Sequence, residues 1–315
     1  MKKSKALLLT QGMHGMVSQV EGIAKALEVQ YRHKIVSLNF PWNLLPPKYT
    51  PTSQIILKEK IYLAKDDIPD LIISCGRKSV IPSIILKKTN PKIFTIHIQD
   101  PKIDPKNFDI IIAPEHDNLS GINILNSKGA IHYITESEIN NAKSYLTNKI
   151  NSKKIVSLIL GGPNKYYNFN KLQLIDIFNK VRSDFIKKDY KVIVIPSMRT
   201  PKSIIDLATK EFKEDGYVVN TVDKQAYLSS LALANYIIVT SDSTSMISEA
   251  ASSGKPIFVA QMKARKNNYR FKKFYKLFRE LGIIRNLGEK IENWTYNKLN
   301  EAERIALELK KKIEN

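Results

Sequence analysis

Between Tyr236 and Val259 the chain reads Y-I-I-V-T-S-D-S-T-S-M-I-S-E-A-A-S-S-G-K-P-I-F-V. An apolar run ends in a hydroxyl-rich loop, a helical segment follows, and a Gly-Lys-Pro turn leads into a second apolar run. Two buried strands joined by one short helix have few solutions other than a parallel sheet with crossover connections. Ser243 or Thr244 can cap the helix, Glu249 lies about one and a half turns inside it, and Gly254 suits a left-handed closure. The helix start offers amide groups and the positive end of a dipole to an anion. A nearby carboxylate can accept hydrogen bonds from ribose hydroxyls, so the segment is a socket for a phosphorylated ligand.

Apolar runs alternate with helical-period segments along the rest of the chain, which predicts an α/β protein built on parallel sheets. In the first half the expected strands are Ala6–Leu9, Ile35–Leu38, Leu71–Ser74, Ile93–Ile98 and Ile110–Ala113, with a helix over Val17–Leu27. A polar Lys/Asn-rich stretch at Leu146–Lys154 is the expected connection between two domains. The second half restarts with a strand at Ile155–Leu160. A helix at Leu172–Ile186, a strand at Lys191–Ile195, a helix at Ser203–Phe212, a strand at Tyr217–Val219 and a helix at Lys224–Ala232 follow. Lys298–Ile313 is expected to be an amphipathic helix. At 315 residues the chain has room for two such domains. The expected division is 1–150, 151–290 and a terminal helix within 291–315.

No apolar run reaches the roughly 18–20 residues that span a bilayer; the best candidate, Leu71–Leu86, is cut by Arg77 and Lys78. The basic start M-K-K-S-K precedes an apolar core too short for a signal peptide, and it is expected to open a first strand. A single cysteine, Cys75, excludes an internal disulfide and a cysteine-based metal site. The expectation is a cytoplasmic protein, peripheral at the inner face of the membrane. The formal charge of +20 attracts anionic surfaces, yet the lysines are spread among abundant Ile and Asn as an A/T-rich genome would spread them. A weak association with anionic membrane is therefore expected. Nucleic-acid binding is not, because no zinc, RRM-like or helix-turn-helix pattern accompanies the charge.

Polar and glycine-rich segments mostly follow strands, where ligands bind in open α/β sheets. In the first half these are T-Q-G-M-H-G-M with Gly12, His14, Gly15 and then Gln19; C-G-R-K-S with Gly76, Arg77 and Lys78; Q-D-P-K with Gln99 and Asp100; and P-E-H-D with Glu115 and His116. In the second half they are G-G-P-N with Gly161, Gly162 and Asn164, P-S-M-R-T-P with Ser197 and Arg199, and the run Ser241, Asp242, Ser243, Thr244, Ser245 and Glu249. Each has two readings. Gly161 and Gly162 face a phosphate or merely allow a tight turn. Arg77, Lys78 and Arg199 hold an anion or cap surface structure. His14, Asp100, Glu115 and His116 supply acid–base chemistry or satisfy their own loops. Gly12 and Gly15 do not make G-x-G-x-x-G, and there is no D-x-D, H-E-x-x-H or G-x-S-x-G. No metal and no cofactor are expected.

The ordered set of motifs resembles the mitochondrial fission family named after the plant "elongated mitochondria" factor. The matching residues include G-R-K-S-V-I-P at Gly76, I-Q-D-P-K-I-D-P-K-N-F-D at Ile98, L-G-G-P-N-K-Y-Y-N-F at Leu160, P-S-M-R-T-P at Pro196 and R-F-K-K-F at Arg270. The run from Thr240 and W-T-Y at Trp294 belong to the same set; the first loop departs from the acidic, Pro-containing D-G-x-P-G type. The resemblance implies a GT-B-like fold: two Rossmann-like domains with parallel sheets facing across a cleft, and a C-terminal helix crossing back onto the first. It implies that Gly162, Asn164 and Ser241–Ser245 surround a donor diphosphate, with Glu249 on the ribose and Arg199 on phosphate charge. Gly15, Arg77 and Asp100 would meet the acceptor. The leading expectation is a metal-independent glycosyltransferase that moves sugar from a nucleotide-sugar to an envelope glycan or lipid. A non-catalytic scaffold of the fission-factor type and a nucleotide-sugar epimerase are the alternatives.

Overall fold

A computed structural model describes residues 4–267 and 269–313. The chain divides into two compact units: one comprises the sequence through Tyr133 together with Asn300 onward, the other Ile134–Leu299. The first unit carries β1 (Lys5–Thr10), α1 (His14–Ala26), β2 (Gln30–Ile35), β3 (Leu71–Cys75), α2 (Arg77–Thr89), β4 (Phe94–Ile98), β5 (Ile110–Pro114) and β6 (Ile124–Ser127). All six strands are parallel, in the order β2-β1-β3-β4-β5-β6.

Strand alternation sorts the first core into two layers. Leu8, Ile73, Ile96 and Ile112 pack on α1 and on the C-terminal helix Glu301–Ile313, which inserts Ala302, Ile305, Ala306 and Leu309. Leu7, Leu9, Ile72 and Ile111 pack on α2 and on Val36, Ile56 and Leu57 of the long β2–β3 connection. The helix therefore completes a core begun about 295 residues earlier in the chain, and its buried Glu301 accepts from the Lys128 amide at 2.7 Å.

Three first-unit elements differ from the sequence expectation, one of them β6, which lies outside the expected strands. The second strand is Q-Y-R-H-K-I rather than Ile35–Leu38. As an edge strand it pairs with β1 alone and stays largely exposed, while Val36 and Leu38 follow it into the core. Helix α2 has no polar stripe, because Ser79 through Leu86 are all buried, so periodicity cannot reveal it.

The second unit carries α3 (Glu136–Asn141), β7 (Ile155–Leu160), α4 (Lys171–Asp184), β8 (Lys191–Pro196), α5 (Lys202–Phe212), β9 (Gly216–Val218) and α6 (Lys224–Leu233). Then come β10 (Tyr236–Thr240), α7 (Thr244–Ala251), β11 (Ile257–Ala260), α8 (Tyr269–Glu280) and β12 (Ile284–Asn286). Its parallel strands run β12-β11-β10-β7-β8-β9. One face is strongly aromatic, with Phe178, Phe185, Phe212, Phe258 and Trp294 in a single cluster. The polar stretch at 146–154 lies inside this unit: Leu146 and Ile150 are buried, and the Leu146 amide bonds Ser229 Oγ at 3.1 Å. Among the described residues no helix is long and apolar enough to cross a membrane.

Candidate functional site

From β7 the second-unit chain builds β8 and β9 to one side, then returns to lay β10, β11 and β12 on the other. The order thus reverses between β7 and β10, and the two loops leaving their carboxyl ends form the switch-point crevice where open α/β sheets bind ligands. Those loops are Gly161–Asn164 and Ser241–Ser243, with α7 starting at Thr244.

Asp242 organises this crevice. Its carboxylate is sealed from solvent and accepts from the Gly162 amide at 2.9 Å, Arg199 Nη2 at 2.9 Å and Thr240 Oγ1 at 2.7 Å. Thr240 Oγ1 in turn accepts from the Gly161 amide at 2.8 Å. Arg199 Nη1 also donates to the Gly162 carbonyl at 2.5 Å, and Asn164 Nδ2 donates to the Asp242 carbonyl at 3.0 Å. A β-carbon on Gly161 would stand 2.1 Å from Asp242 Oδ2, and one on Gly162 would stand 2.0 Å from the Arg199 carbonyl oxygen. The glycines are thus required by close approach, and both amides donate inward rather than toward a ligand. Arg199 is braced by Asp242, and its side chain remains 39% exposed. Ser197 takes part through a loop bond, its amide donating to Thr200 Oγ1 at 2.8 Å.

The donors left for an anion are those of α7. Ser243 caps it, its hydroxyl accepting from the Met246 amide at 3.4 Å, and the half-buried Thr244 and Ser245 open the helix, whose first amides have no partner within it. Ser241 is buried below: its hydroxyl accepts from the Met262 amide at 2.9 Å and its carbonyl from the Tyr275 hydroxyl. Glu249 lies on the same helix, where the Tyr227 hydroxyl donates to its Oε2 at 2.9 Å. Desolvation pushes its carboxyl from 4.5 up to about 7, against the smaller opposing pull of Tyr227. Glu249 stands in the second half of α7, more than one turn from the helix start at Thr244. Tyr227 and Tyr275 carried no local sequence signal, since each acts across the fold; Thr200 lay within P-S-M-R-T-P and Thr240 within the run at the end of the Tyr236 strand.

The first-unit loops are bound up differently. Its strand order reverses between β1 and β3, above Gly12 and Gly76, both at positive φ. Gly15 has open space around it, whereas a side chain on Gly76 would strike Met16. Gln19 donates to the Gly15 carbonyl at 2.9 Å and accepts from Gln99 Nε2 at 3.3 Å. Arg77 does not reach outward for an anion: it donates to the carbonyls of Asn43 at 2.7 Å and Leu44 at 3.0 Å. Lys78 beside it is half-buried. Asp100 receives the Lys102 amide at 2.9 Å and the Lys102 ammonium. His14 opens α1, exposed, its ring edge-on to Tyr133 at 6.2 Å between centroids. Glu115 is exposed, and His116 lies 3.7 Å from Asp117 in a short turn. Buried beneath the edge, His97 shares a 2.8 Å bond with Ser74 Oγ, and burial drives its pKa down to about 3. Cys75 is buried and its thiol pushed up, consistent with an inert core group. Among the described residues no group of three or more His, Cys, Asp or Glu side chains is arranged to hold a metal ion.

Comparison with known proteins agrees with this architecture. A protein of Rickettsia prowazekii of uncharacterised function is 29% identical over 334 aligned residues, covering 90% of this chain and 92% of its own. The mitochondrial fission protein ELM1 of Arabidopsis thaliana is 26% identical over 281 residues, covering 78% of this chain but 64% of the longer plant protein. The UDP-GlcNAc 2-epimerase of Methanocaldococcus jannaschii, solved with UDP-GlcNAc and UDP, superposes with a TM-score of 0.53 at 15% identity, over 98% of this chain and 100% of that one. MurG of Acinetobacter baumannii gives 0.50 at 11% identity, over 99% and 92%. These structural likenesses establish a GT-B-like α/β fold. The family model for mitochondrial fission ELM1 matches residues 14–313, and the chain belongs to that family.

Proposed function

We propose that the second unit binds the nucleotide end of a nucleotide-sugar and that the chain transfers the sugar to an envelope glycan or lipid at the cytoplasmic face of the membrane. The observation that carries this reading is Glu249, a carboxyl lifted to about 7 on the helix whose N-terminus closes the β7–β10 switch point. Thr244 and Ser245 would donate to the diphosphate, the exposed edge of Arg199 would offset its charge, and Glu249 would accept from ribose hydroxyls. In the reaction the bond from the anomeric carbon to the diphosphate oxygen breaks and the acceptor oxygen bonds that carbon. The leaving nucleoside diphosphate carries the negative charge that helix amides and a guanidinium stabilise without a metal. A general base would take the proton of the acceptor hydroxyl as its oxygen bonds the anomeric carbon. Solved relatives of the fold that hold UDP-GlcNAc and UDP support a nucleotide-sugar as the ligand.

A second reading, a scaffold without catalysis, is favoured by one feature: Arg77, Asp100 and Gln19 on the first unit are spent on bonds within that unit. Incubation with UDP-, GDP-, CMP-, dTDP- and ADP-sugars plus a membrane lipid extract separates the readings. Acceptor-dependent release of nucleoside diphosphate supports transfer. An isomerised nucleotide-sugar without release assigns an epimerase, and absence of both products with every donor supports the scaffold.

A further inference from the structure

Four of the strongly exposed apolar side chains of the chain fall within ten residues of the β2–β3 connection. Phe40 is 77% exposed, Leu44 67%, Tyr49 64% and Leu45 37%, and Pro41 and Pro46 are exposed between them. This segment is a held turn rather than a loose loop. Arg77 donates to the carbonyls of Asn43 and Leu44, Asn39 Nδ2 to the Leu57 carbonyl at 3.2 Å, and Thr50 Oγ1 to the Pro46 carbonyl at 3.0 Å. Pro47 is buried and Trp42 packs against the first-unit core. The base is fixed while the apolar tips stand in water. An aqueous loop gains nothing from that arrangement, whereas a surface that receives the tips does.

Charge narrows the choice of surface. From Ile35 to Leu57 the one charged residue is Lys48, and its ammonium sits over the Tyr49 ring at 4.6 Å. Arg32, Lys34, Lys58 and Lys60 flank the stretch, and the nearby Glu59 is already paired with Lys34 at 2.8 Å. Apolar and aromatic tips, a lysine at the level of a tyrosine, basic flanks and a carboxylate-free turn match the interface of an anionic bilayer. We infer that the 40–49 turn seats the first unit on an anionic phospholipid surface, with Phe40, Leu44, Leu45 and Tyr49 entering the headgroup–acyl boundary. The inference stands apart from the nucleotide reading, because no residue of the switch-point crevice takes part in it.

The test is flotation of the whole chain with vesicles of phosphatidylcholine alone or with about one-third phosphatidylglycerol, at low and at 0.5 M salt, alongside the double variant Phe40→Ser/Leu44→Ser. Both side chains are exposed, so the variant is expected to keep the wild-type circular dichroism and melting temperature. The wild-type chain is expected to float with anionic vesicles and to retain part of that binding at high salt. The variant is expected to bind at least about tenfold less. Equal binding by variant and wild type would assign the attraction to the scattered lysines and overturn the inference. So would failure of the wild-type chain to float with either vesicle, including a case in which the turn instead mediates self-association that the variant abolishes.

Discussion

Replacing Glu249 with glutamine keeps the side-chain volume and an oxygen that can accept from Tyr227, but removes the ionisable proton. In the wild-type chain the folded carboxyl titrates near 7 and the unfolded one near 4.5. Below 4.5 both states are protonated and the group is neutral to stability. Between 4.5 and 7 the unfolded chain releases its proton first, so stability falls as pH rises; above 7 the full penalty stays constant. Lifting the carboxyl over that range costs the ionised form about 3 kcal/mol, which partial access of water reduces to about 2 kcal/mol. Glu249→Gln lacks this penalty. The gap in melting temperature between variant and wild type should therefore widen from pH 5 to pH 8, reaching roughly 4–8 °C in favour of the variant. Thermal melts at four pH values across that span measure it. Affinity should move the opposite way, with nucleotide binding weakened by about 1–3 kcal/mol through loss of a charged acceptor. A gap that does not change with pH, or a variant less stable at pH 8, would refute the burial argument.

Asp242→Asn is expected to cost about 2–3 kcal/mol in urea unfolding, because the Arg199 charge loses its buried partner and the paired amide of Gly162 meets a poorer acceptor. Gly161→Ala must displace the Asp242 carboxylate from a site 2.1 Å away, so it should lower stability and shift the backbone NMR signals of residues 240–244. Arg77→Ala should release the 43–45 carbonyls and speed hydrogen exchange across residues 40–50, with a small change in melting temperature.

Much of the fold was legible because its signals are local. The apolar runs that became β3, β4, β5, β7, β8 and β10 are bounded by turn chemistry, Ser243 caps α7, and Gly254 takes a left-handed φ of 72° just beyond it. The basic edge strand β2 hid because an edge needs no alternation of buried residues. Helix α2 hid because its middle, Ser79 through Leu86, is buried all round, and the 146–154 stretch read as a linker although its polar residues surround two buried anchors. At the site, the sequence indicated the right segments but not the wiring. Nothing local shows that Arg199 and Asp242, 43 residues apart, hold each other, or that Tyr227 reaches Glu249. Arg77 likewise read as an anion holder because its latch lies 33 or 34 residues away.

The most direct test of the central claim is isothermal titration of the purified chain with UDP, GDP, CMP, dTDP and ADP and their sugars, run beside Glu249→Gln. The account predicts saturable binding of one nucleotide family, with a melting shift at 100-fold excess over the dissociation constant that corresponds to about 2.7 kcal/mol, and weaker binding by the variant. No binding to any nucleotide, or equal binding by both proteins, would contradict the role assigned to the β7–β10 crevice and to Glu249.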